Sequence, residues 1–134
     1  MRKNNKNYKV QILLATYNGQ KFLCEQLDSI INQTYKFWEL LVHDDGSSDN
    51  TISILNEYTN NYPKKVKLLV DKKIFISASK NFFHLINNRS REANLYCLCD
   101  QDDIWHKDKL KIIIESYSKK DSNEPILIHS DLSL

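Results

Sequence analysis

The sequence predicts an α/β protein: a mostly parallel open sheet with helices on both faces. Apolar runs of strand length alternate four times with segments of helical period along its 134 residues. Three of those runs, KVQILLA, WELLVH and LYCLC, are almost unbroken, as strands covered on both faces are. Right-handed β-α-β crossovers then give parallel pairing.

The elements follow in order. Residues 1–8 read as a polar tail, and 9–134 as one domain. A first strand, Lys9 to Ala15, stops at the turn Thr16-Tyr17-Asn18-Gly19. From Gln20 to Gln33, Leu23, Leu27, Ile30 and Ile31 share a helix face. A second strand, Trp38 to His43, gives way to Asp44-Asp45-Gly46-Ser47-Ser48-Asp49, turn chemistry ending in a helix cap. The helix after it runs to about Asn60 and buries Ile52, Leu55 and Tyr58, with Pro63 just beyond. Val66 to Val70 is a third strand. Ser77 or Ser79 caps a helix that buries Phe82, Leu85 and Ile86. Leu95 to Cys99 is a fourth strand, ending at Asp100-Gln101-Asp102-Asp103. A helix from about Lys107 to Lys119 buries Leu110, Ile113, Ile114 and Tyr117, and Pro125 to His129 is a fifth strand.

Composition narrows the function. Nineteen basic and 17 acidic side chains leave a net charge of +2, too little to imply nucleic acid as a partner. No apolar run approaches the ~20 residues of a membrane span. The three cysteines do not suggest a disulfide scaffold, and a reducing, cytoplasmic compartment fits best. Cys97 and Cys99 point to one face of their strand, as small buried hydrophobes or, less simply, as two metal ligands. His43, His84 and His106 read as ordinary strand or helix residues.

Ligands of open α/β sheets bind outside the carboxyl ends of the strands, where strand order reverses. Asp44 and Asp45 fall at one such end, and Asp100, Asp102 and Asp103 at another. Taken singly, Asp44-Asp45-Gly46 reads more readily as a turn with a helix cap than as a site, and Asp100-x-Asp102-Asp103 reads equally as an N-terminal cap of the helix from about Lys107. On one rim, five carboxylates call for positive charge, and a divalent cation, Mn²⁺ or Mg²⁺, is the simplest source. The only two glycines, Gly19 and Gly46, lie on the same rim. With the first strand between the second and the fourth, and neighbours ~4.8 Å apart, the two clusters stand roughly 10 Å apart. That separation suits a nucleoside at one cluster and its diphosphate at the other.

At these residues the chain resembles a family 2 glycosyltransferase of GT-A fold. The matching pieces are Leu14-Ala15-Thr16-Tyr17-Asn18-Gly19, the run from Asp44 to Thr51, Lys80-Asn81-Phe82, and Asp100-Gln101-Asp102-Asp103-Ile104-Trp105. The last motif, with His129-Ser130-Asp131, is most similar to the rhamnosyltransferase-like branch. The resemblance implies metal-dependent transfer of a sugar from a nucleotide diphosphate donor, dTDP- or UDP-linked, to a hydroxyl of a glycan or lipid-linked acceptor, in surface polysaccharide or glycan synthesis. It implies a nucleotide-sugar site of Thr16, Tyr17, Asn18, Asp44, Asp45, Gly46, Lys80, Asp100 and Gln101. Asp44 accepts from the base, Asp45 shapes its pocket, and Asp102 is the main metal ligand with Asp100 beside it. Trp105 packs either beside the sugar or in the core.

The glycine that many relatives carry near Ser77 is missing here. The chain also stops where the family's acceptor-binding half begins, so the catalytic base is expected beyond Leu134, and His129 and Asp131 are weak substitutes. A chain cut there is expected to self-associate through Leu132, Leu134 and the uncovered last strand. The expected location is cytoplasmic, with a peripheral position at the inner face of the membrane as its variant. The main alternative is a non-catalytic nucleotide-sugar-binding module or a truncated remnant. A sugar nucleotidyltransferase would carry a glycine-rich loop where ATYNG stands, and a phosphatase or receiver domain a carboxylate after the first strand.

Overall fold

A computed structural model describes residues 7–120 and 123–129. Its elements are β1 (Val10–Thr16), α1 (Gln20–Ile31), β2 (Trp38–Asp44), α2 (Thr51–Asn61), β3 (Val66–Leu68), α3 (Ala78–Asn87), β4 (Leu95–Asp100) and α4 (Lys109–Ser118). The four strands pair in parallel in the order β3-β2-β1-β4, with β1 in the middle as expected. Strand order reverses beside β1. Thr16 stands opposite Asp44 and Ala15 opposite Asp100, so both acidic clusters emerge from the same edge.

The period-2 alternation of the strands divides the core in two. Val10, Ile12 and Leu14, with Trp38, Leu40, Val42 and Cys99, meet Leu23, Leu27 and Ile30 of α1, Leu55 of α2 and Leu110 of α4. The opposite face, Leu13, Ala15 and Leu41, is covered by Leu85, Phe82 and Ile86 of α3. Helices therefore lie on both faces. Cys97 and Cys99 lie on the first face, and burial pushes their thiols up to about 11 and about 12. The core reading of this pair holds.

Four details depart from the sequence reading. Pro125–His129 is not a fifth strand: it faces β4 across an apolar groove of about 550 Å³ and pairs with no strand. Pro125 has no N–H to give a ladder, and Leu127 is 91% exposed, while only Ile126 and Ile128 turn half-buried toward the groove. Among the described residues β4 is consequently an edge strand, with Tyr96 and Leu98 exposed on the side that α3 leaves open. β3 stops at Leu68, leaving Val70 exposed. In α2 the buried stripe is Thr51, Ile54, Leu55 and Tyr58, while Ile52 turns to solvent. Ser130, Asp131, Leu132 and Leu134, invoked above, lie outside the described residues.

Ser77, not Ser79, caps α3, its Oγ accepting from the Lys80 amide at 3.3 Å. The α4 cap position is Asp108, which shifts the helix start to Lys109. Asp103 therefore caps no helix, leaving a role at the rim open to it.

Candidate functional site

The turn after β1 is held open by its neighbours. Asn18 takes a left-handed conformation, φ 45°, which asparagine tolerates. Its Oδ1 accepts from the Ser48 amide at 2.8 Å, and its own amide donates to Ser47 Oγ at 2.8 Å. The β1–α1 turn is thereby tied to the β2–α2 turn. On the other side, Gln101 takes both backbone groups of Tyr17: its Oε1 accepts from the amide and its Nε2 donates to the carbonyl, each at 2.9 Å. Gln101 lies so close over Gly19 that a Cβ there would overlap its amide group.

The adjacent aspartates after β2 divide their work. Asp44 accepts from Thr16 Oγ1 (2.7 Å), Ser47 Oγ (2.6 Å), the Ser47 amide (2.8 Å) and the Gly46 amide (3.1 Å). Four donors fill the acceptor capacity of one carboxylate. Asp45 is 3% exposed and accepts from the Phe75 and Ser77 amides, fastening the loop before α3. That loop contains Ile76 at φ 50°, a costly conformation for a β-branched residue. Gly46 at φ 81° passes against Ile74.

Between these turns lies a cleft of about 470 Å³. Thr16, Tyr17, Asp45, Asp100, Gln101 and Asp102 line it, joined by Ala15, Ile76, Ser77, Ala78 and Asn81. Burial first, then the charges of Asp102 and Asp103, holds the Asp100 carboxyl above its ordinary range. Asn18, Asp44, Gly46 and Lys80 are not among the lining residues. The first three build its turns, and Lys80 is exposed on the first turn of α3. Trp105 is buried in the core beneath the Lys109 ammonium and borders the β4 groove instead, so its core alternative is the one realised.

Sequence reasoning missed a second constellation. His43, read as an ordinary strand residue, points to the α3 side of β2, where it meets Asp71 and His84. Their ligand atoms all lie within 4.8 Å of one another. Burial works against ionisation of Asp71, but its contacts with His84, the Lys73 amide and His43 outweigh it and hold the carboxyl at about 2. The facing parity of β2 and α3 could have paired the histidines. The return of Asp71 from an irregular loop had no periodic signal.

A family model described as Glycosyl transferase family 2 matches residues 11–123. The chain belongs to glycosyl transferase family 2. The dTDP-rhamnosyl transferase RfbG of Shigella flexneri is 43% identical to this family 2 chain over 103 residues, which are 76% of this chain and 36% of that protein. The glucosyltransferase WfgD of Escherichia coli, which is named for transfer from UDP-Glc to α-D-GlcNAc-diphosphoundecaprenol, is 32% identical over 113 residues, 84% of this chain and 42% of its own. The family 2 chain thus spans less than half the length of these curated relatives. The crystal structure of S. aureus TarS 1–349 in complex with UDP superposes with a TM-score of 0.69 and 27% identity, over 83% of this chain and 32% of that one. The fold is that of the GT-A glycosyltransferases. Among the described residues no helix is long and apolar enough to cross a membrane.

Proposed function

We propose that the cleft binds the nucleotide diphosphate part of a sugar donor, dTDP- or UDP-linked. The whole protein would transfer that sugar to a hydroxyl of a glycan or lipid-linked acceptor in surface polysaccharide synthesis, in the cytoplasm or at the inner face of the membrane. One observation carries the reading: Asp45 and the pair Asp100 and Asp102 line the same cleft, across the end of β1. Its two ends offer different chemistry. Asp45 keeps unused lone pairs beside two amide bonds and suits the ring N–H of a pyrimidine. Asp44, to which the family resemblance gives that contact, has its oxygens filled by Thr16 of β1 and by its own turn.

The other end suits a divalent cation. Burial, and then the charges of Asp102 and Asp103, raise the Asp100 carboxyl, which favours a cation beside it. A Mg²⁺ or Mn²⁺ ion takes one or two carboxylates and completes its shell with phosphate oxygens. Asp102, with Asp100, would hold it. When bound, the ion neutralises charge on the departing diphosphate. In the transfer, the acceptor oxygen bonds to the anomeric carbon, the bond from that carbon to the diphosphate oxygen breaks, and the acceptor proton passes to a base. None of the described residues in the cleft is assigned as that base.

A thermal-shift panel of nucleotide sugars with Mn²⁺ tests the proposal, because a ligand of the folded state alone raises the melting temperature. A UDP- or dTDP-sugar is expected to stabilise the chain, and Asp45→Asn to weaken that effect. An unchanged melting temperature across the panel would contradict the proposal.

A further inference from the structure

We propose that His43, Asp71 and His84 form a second metal site, distinct from the D-x-D and of the imidazole–carboxylate class that suits Zn²⁺. The three ligand atoms come from three segments: the end of β2, the loop after β3 and the middle of α3. His43 Nε2 is 3.0 Å from Asp71 Oδ1, and His84 Nε2 is 2.6 Å from Asp71 Oδ2.

The surrounding hydrogen bonds orient His43 as a ligand. Asn81 Nδ2 points at two carbonyl oxygens, of His43 at 3.1 Å and of Thr16 at 3.5 Å. Its Oδ1 therefore faces His43 Nδ1, at 2.7 Å, as an acceptor. Nδ1 must carry the hydrogen, which leaves the Nε2 lone pair of a neutral ring aimed at a carboxylate oxygen. Two electron-rich atoms do not rest 3.0 Å apart unless the positive charge of a proton or a cation lies between them. A hydrogen-bonded second ring nitrogen that fixes the tautomer is the usual support of a metal-bound histidine.

A proton on each ring is the competing source of that charge. It would set two imidazolium rings, 4.7 Å apart, against one carboxylate. One of them, His43, is only 1% exposed, and desolvating an imidazolium is costly. One divalent ion supplies the charge with both rings neutral. Tetrahedral ligands at Zn²⁺ distances are about 3.3 Å apart, so each histidine–carboxylate contact needs to open by a fraction of an ångström while the three ligand atoms, all within 4.8 Å of one another, settle around the ion. Asp71, on the more exposed side, leaves room for water as a further ligand. Phe75 closes the apolar side, 5.1 Å from His84 and 5.9 Å from His43. The site would brace the loop whose Ile76 and Ser77 form one wall of the cleft.

Calorimetric titration of the metal-free 134-residue chain with ZnCl₂ tests this, with Co²⁺ as the spectroscopic probe. One equivalent of Zn²⁺ is expected to bind, and Co²⁺ to develop the visible bands of a tetrahedral nitrogen–oxygen site. His84→Ala and Asp71→Asn, both at the rim of the cluster, are expected to lower Zn²⁺ affinity at least tenfold. Asp102→Asn is expected to leave it unchanged. Absence of Zn²⁺ binding by the folded wild-type chain would overturn the proposal. Affinity that survives both His84→Ala and Asp71→Asn, or a Co²⁺ spectrum dominated by thiolate charge transfer, would equally overturn it. Failure of the nucleotide proposal would show separately, in titrations of UDP with Mn²⁺.

Discussion

Asp102 and Asp103 are neighbours with different surroundings, and substitution should separate them. Asp102 lines the cleft beside Asp100, whereas Asp103 lies outside its lining and caps no helix. Asp102→Asn is expected to reduce Mn²⁺-dependent nucleotide affinity at least tenfold. It should leave the melting temperature unchanged or raised, because one of three like charges is gone. Asp103→Asn is expected to keep the affinity within about twofold and stability within about 0.5 kcal/mol, as surface changes usually do. Calorimetry and thermal melts of both variants check this, and the reverse pattern would reassign the roles. Gly19 and Gln101 form a second residue-scale test. Gly19→Ala must push Gln101 off Tyr17 and break two hydrogen bonds, so a loss of about 1–3 kcal/mol is expected in urea unfolding. Gln101→Ala should cost less, on the order of 1 kcal/mol, because it adds no overlap.

Elements with a full period were legible in the sequence. The stripes of α1 and α3, and the continuous runs of β1 and β2, settled the two faces of the sheet, and the turns at Gly19 and Gly46 marked the rim that carries the cleft. Short or edge elements were not. PILIH has a strand's composition but no partner to bond, and pairing is a property of the partner as much as of the segment. The division between Asp44 and Asp45 was also invisible, because it depends on which amides the loop at 75–77 brings near. Asp49 shows the same dependence. It is one residue before the α2 cap position, yet its carboxylate accepts from Thr51 Oγ1, the Thr51 amide and the Gln20 amide, joining the starts of α1 and α2. The Thr51 hydroxyl above all holds this carboxyl below its ordinary value. A lowered acid stabilises the folded state above the unfolded value, near ~3.9, and loses that contribution as pH falls through the folded value. Asp49→Ala is therefore expected to lower the melting temperature at pH 7, with the gap to wild type closing as pH falls below about 4. A gap independent of pH would assign the effect to packing instead of charge.

For the whole molecule, the uncovered side of β4 sets the expected behaviour. Tyr96 and Leu98 are exposed beside an apolar groove, and Leu127 stands almost free across it. An open edge with apolar neighbours favours pairing between copies. Light scattering is expected to show concentration-dependent self-association, reduced by Leu98→Lys. A chain that stays monomeric at all concentrations would contradict this expectation.

The donor cleft is the centre of the account, and calorimetric titration of UDP and dTDP tests it most directly, first with Mn²⁺ and then with a chelator. Binding of at least one nucleotide, weakened tenfold or more when the metal is removed, is the predicted result. Equal affinity in the two conditions would contradict the metal-bridged site, and absence of binding in both would contradict the cleft itself.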